Sequence, residues 1–72
     1  MGARRYELTV EGELSDEAAI AFHGMSVARR QGTTTLVGEV RDQAELQGLL
    51  SRVSSLGLTL LSANALDDTS ST

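Results

Sequence analysis

Polar and apolar residues alternate through the first part of the chain. Tyr6, Leu8, Val10 and Leu14 share one parity, and Glu7, Thr9, Glu11 and Glu13 share the other. This period of two predicts a half-buried strand with one wet face. Gly12 breaks the apolar parity, which predicts a bulge or a close approach by a helix. Ser15 then offers a capping hydroxyl, and Asp16 and Glu17 place negative charge beside the first-turn amides. Ala18, Ala21, Phe22 and Met25 are spaced for one helical face and Gly24 is a terminator, so a short helix is expected over 16–24.

Two readings compete for the segment from Met25 to Gln31. It could continue the first helix to Arg30, or run extended; the alternation of Met25 and Val27 with Ser26 and Ala28 favours the strand. Gln31-Gly32 supplies the hairpin turn, and Thr33-Thr34-Thr35-Leu36-Val37 is β-branched and extended. Thr34, Leu36, Gly38 and Val40 are expected to face the core, with Thr33, Thr35, Val37 and Glu39 outside. Asp42-x-x-Glu45 reads as a capping box, followed by Leu46, Leu49, Leu50 and Val53 on one helical stripe. Gly57 ends that helix, with Leu58 returning onto Val53 in a Schellman ending. Leu58 to Leu66 forms a last strand, and Asp67 to Thr72 is expected to be a disordered tail.

Strand, helix, strand, strand, helix, strand is the order of a two-layer ferredoxin-like βαββαβ sandwich. The fold class expected is therefore α+β, one domain over 1–66. Right-handed crossovers would set two helices on one face of a four-stranded antiparallel sheet, with the first and third strands central. The second strand would lie at an edge, where Arg29 and Arg30 discourage further pairing. The other sheet face would carry Glu7, Thr9, Glu11, Val37 and one of Leu60 or Leu61. A 72-residue chain has a thin core, and it has no Cys with which to staple it. Covering that face with a second copy is the remedy left, so Val37, Leu60 and Leu61 are the candidate self-association residues, in a homodimer or other homo-oligomer.

Composition narrows the chemistry. The formal charge is -4 and all six basic residues are Arg, which argues against general affinity for DNA or RNA. The absence of Cys fits a reducing compartment, and the N-terminus meets charge where a secretory signal needs an apolar run. No run approaches the roughly 18 apolar residues of a membrane span. A soluble, cytoplasmic protein without membrane contact is the expectation.

The run GTTTLVGEVRDQAELQGLLSRVSSLGLTLLSAN, with the opening RYELTVEGELS, resembles small uncharacterised proteins of high-GC Gram-positive bacteria. They share a pattern close to TTxLxGxVxDQAxLxGLLxRxxxLGLxLxS. The likeness is sharpest at Asp42-Gln43-Ala44 and Leu56-Gly57-Leu58, a helix cap and a helix ending, so it implies a fold and no particular activity.

Catalytic constellations are absent from the sequence. His23 is the only His and has no orienting acid near it in the chain. The Ser residues sit in no G-x-S-x-G turn, and neither glycine pattern that cradles phosphates occurs. Glu7, Glu11 and Glu13 read as a solvated strand face before they read as a cation site, so no metal and no cofactor are expected. Two functions follow: a non-catalytic module that binds a protein partner or its own copy, or a small-molecule sensor or cofactor-free enzyme. In the second, a pocket between sheet and first helix would use Phe22, His23 and Met25 as ligand-binding residues.

Overall fold

A computed structural model describes residues 4–66; the tail expected at 67–72 lies outside the described residues. The chain runs β1 (Arg4–Glu11), α1 (Asp16–Ile20), β2 (Ser26–Arg30), β3 (Thr33–Val40), α2 (Gln43–Ser55) and β4 (Leu60–Leu66). The four strands form one antiparallel sheet in the order β2-β3-β1-β4, so β1 and β3 are central and β2 and β4 are the edges. Between Met25 and Gln31, the extended reading is the one the chain adopts.

Register explains the burial. Leu8 stands opposite Leu36 and Val10 opposite Thr34, and all four are fully buried. With Leu14, Phe22 and Val53 they make the core, against which Ala18, Ala21, Met25, Val27, Leu49, Leu50 and Leu58 pack. Both helical segments therefore contribute to one apolar cluster with the Leu8–Leu36 face of the sheet. The alternation in β3 is as the sequence predicts, with Thr34, Leu36 and Val40 buried and Glu39 exposed.

Among the described residues Thr34 is the one buried polar residue, and its hydroxyl has two partners. It accepts from the Leu14 amide at 3.0 Å and donates to the Gly12 carbonyl at 2.8 Å. A core hydroxyl thus ties down the loop between β1 and α1, where no ladder could pair those backbone groups.

Two local expectations are corrected. Gly12 is neither a bulge nor a point of helix contact: β1 ends at Glu11, and Gly12 turns the chain at φ +90°, with open space where a Cβ would stand. That conformation is what requires glycine there. The bulge instead lies in β4, where Thr9 pairs with Ser62 but Val10 with Leu60, leaving Leu61 as the extra residue. Helix α1 stops at Ile20 and not at Gly24, because the chain tightens into three-residue turns, Ala21 N–H to Ala18 O and Phe22 N–H to Ala19 O. This tightening carries Phe22 into the core.

Helix α2 keeps its predicted ends with one change. The Asp42 carboxylate accepts from the Glu45 amide at 2.9 Å, but the Glu45 carboxylate takes the Arg41 amide, one residue before its partner in a capping box. At the other end the Leu58 amide bonds Val53 O and the Gly57 amide bonds Ser54 O, both at 3.0 Å, which is the Schellman pattern. Of the apolar stripe only Val53 is buried; Leu46, Leu49 and Leu50 are half-buried.

Candidate interaction surface

The residues proposed for a ligand pocket do not converge. Phe22 is buried in the core cluster, where its ring is a packing element. His23 is exposed in the turn that follows α1. Met25 alone lines a concavity, a groove of about 230 Å³ shared with Glu39, Glu45, Gly48, Leu49 and Arg52. That groove lies against α2, not α1, and is smaller than the roughly 300–1,000 Å³ usual for small-molecule sites. The reason Met25 sits there is Gly38: a Cβ on Gly38 would fall 2.7 Å from Met25 Cγ, so the strand glycine makes room for the thioether chain.

The acidic residues along and just after β1 are likewise dispersed in role. Glu13 accepts from the Gly32 amide at 3.2 Å, which fastens the β2–β3 turn to the end of β1. Among the described residues no group of three His, Asp or Glu could hold a metal ion.

What the fold does expose is sheet. By register, Glu7 on β1 stands beside Val37 on β3 and Asn64 on β4, and Thr9 stands beside Thr35 and Ser62. Together with Ser26, Ala28 and Arg30 of β2, these residues make the face away from the core. A shallow concavity of about 510 Å³ in it is lined by Glu7, Ala28, Arg30, Thr33, Thr35 and Val37. Val37 is therefore where the sequence reading put it. The face as a whole is more polar than that reading expected, since β4 contributes Ser62 and Asn64 to it. Leu60, paired with Val10, has the core-side parity, and Leu61 sits in the bulge; they are 39% and 52% exposed. Sequence periodicity could not separate them, because a bulge resets the parity without a residue signature.

The two edges differ. At β2, Arg29 donates from Nε to Leu14 O at 2.6 Å and from Nη2 to Asp16 at 3.0 Å, so one edge arginine also anchors the start of α1. At β4 every residue from Leu60 to Ala65 is exposed, including Ala63 and Ala65, which stand opposite core-side Leu8 and Tyr6. The helices leave this strand bare on both faces.

These features define a small α+β domain with a four-stranded antiparallel sheet and two helices. The chain belongs to the family described as a domain of unknown function, DUF8691, whose model matches residues 5–64. No curated protein and no solved structure matches it. Among the described residues no helix is long and apolar enough to cross a membrane.

Proposed function

We propose that this protein is a non-catalytic interaction module of ferredoxin-like topology that binds protein, a second copy of itself included, through sheet left uncovered by its helices. Read from its other edge, the strand order β4-β1-β3-β2 with all neighbours antiparallel supports that topology. The observation that carries the functional reading is where the core lies. The apolar cluster sits on one side of the sheet, and the face with Val37, Thr35 and Glu7 has nothing over it among the described residues. A domain of this size buries only about 60% of its unfolded surface, so an added partner surface stabilises it disproportionately.

Sedimentation equilibrium at tens of micromolar tests the reading. The expected result is a mass twice the 7.6 kDa of one chain. A monomer whose mass and thermal midpoint are both unmoved by Val37→Arg and Leu61→Arg overturns it.

A further inference from the structure

We propose that two copies of this chain join along the outer edge of β4, strand to antiparallel strand, into one continuous eight-stranded sheet. This rests on the interaction-module reading above and assigns its self-contact to an edge, leaving the open face for another protein.

The argument begins with the main chain. The Glu11 amide donates to Thr59 O at 2.8 Å, so the odd-numbered residues of β1 direct their backbone groups toward β4. Their partners Ser62, Asn64 and Leu66 are then the hydrogen-bonded positions of that ladder. Ala63 and Ala65, at the alternate positions, turn their N–H and C=O groups outward, and among the described residues no strand pairs with them. Unpaired donors and acceptors in a row are a template for another strand.

Sheet edges are ordinarily guarded, and among the described residues only the β2 edge is. β2 is short and carries Arg29 and Arg30, whereas Leu60–Leu66 reads LLSANAL, with no charge and no proline. The chemistry of β4 fits a copy of itself. A two-fold axis at Asn64 sets Ala63 of one copy opposite Ala65 of the other and the reverse, each pair exchanging both N–H and C=O. Over residues 62–66, the described stretch that this register pairs, no charged side chains meet, despite a formal charge of -4 on each chain. The alanine methyls are small enough for close approach. Such an axis is perpendicular to the sheet, so both helix layers fall on the same side. The core-side flank of β4, exposed at Ala63 and Ala65, then gains cover from the second copy.

Proline at an outward position removes a donor from the edge and none from the β1 ladder, which edge strands tolerate. Ala63→Pro and Ala65→Pro should each give a monomer by sedimentation equilibrium at tens of micromolar, with the far-UV circular dichroism of the parent. Ala63→Lys, which keeps the amide and adds a charge at the edge, should also dissociate the dimer if either proline unfolds the chain. Val37→Arg should leave the mass unchanged. A dimer that survives Ala63→Lys and the folded proline variants but yields to Val37→Arg overturns the edge proposal and leaves the module standing. A parent protein that is monomeric overturns the edge proposal as well.

Discussion

Thr34→Val removes one oxygen from the core and replaces it with a methyl of nearly the same size. The hydroxyl satisfies the Leu14 amide at 3.0 Å and the Gly12 carbonyl at 2.8 Å, and Thr34 itself is fully buried. A buried donor or acceptor left without its partner costs about 1–3 kcal/mol. The new methyl returns about 0.8 kcal/mol of burial. Two groups lose their partner, the Leu14 amide and the part-buried Gly12 carbonyl, so the net destabilisation is about 2 kcal/mol. In a domain this small each kcal/mol moves the thermal midpoint by about 4–8 °C, giving a fall of roughly 8–16 °C. Thr34→Ser is the control: it keeps both hydrogen bonds and loses a buried methyl, worth about 1 kcal/mol. Thermal and urea unfolding followed by circular dichroism would rank the parent first, Ser next and Val last, with the Leu14 amide exchanging faster in Val alone. If Val equals or exceeds the parent while Ser is the weaker variant, packing and not hydrogen bonding is why threonine stands there, and the account of the β1–α1 loop is wrong.

Two further substitutions probe the packing and the cap. Gly38→Ala places a Cβ 2.7 Å from Met25 Cγ and 3.2 Å from Met25 Cβ, so it should lose about 1–3 kcal/mol in urea unfolding. Adding Met25→Ala should recover part of that loss, and a double-mutant cycle with no coupling would refute the close contact. Asp42→Ala removes the acceptor for the Glu45 amide and should cost about 1 kcal/mol, read as an equal drop in unfolding free energy; an unchanged value would show that solvent caps the helix as well.

Much of the fold was legible because its signals are local. Alternation in Tyr6 to Val10 and Thr34 to Val40, the Asp42 cap and the Gly57 ending each depend on residues within a few positions of one another, and each stands as read. The segment Met25 to Gln31 was ambiguous for the same reason: its short apolar pattern fits helix or strand, and only pairing with β3 decides. The candidate site was less legible. Phe22, His23 and Met25 are neighbours in the chain, yet a tightened turn sends the first into the core and leaves the second in solvent.

The sequence by itself determined most of the elements and the parity of the central strands, because side-chain period and cap geometry are properties of short stretches. Only the tertiary structure decided that a buried threonine would hold a loop 20 residues away, that a bulge would split Leu60 from Leu61, and that β4 would stand uncovered while β2 is tied to α1. Those outcomes depend on which backbone groups find partners across the sheet, and long-range pairing leaves no mark on neighbouring residues.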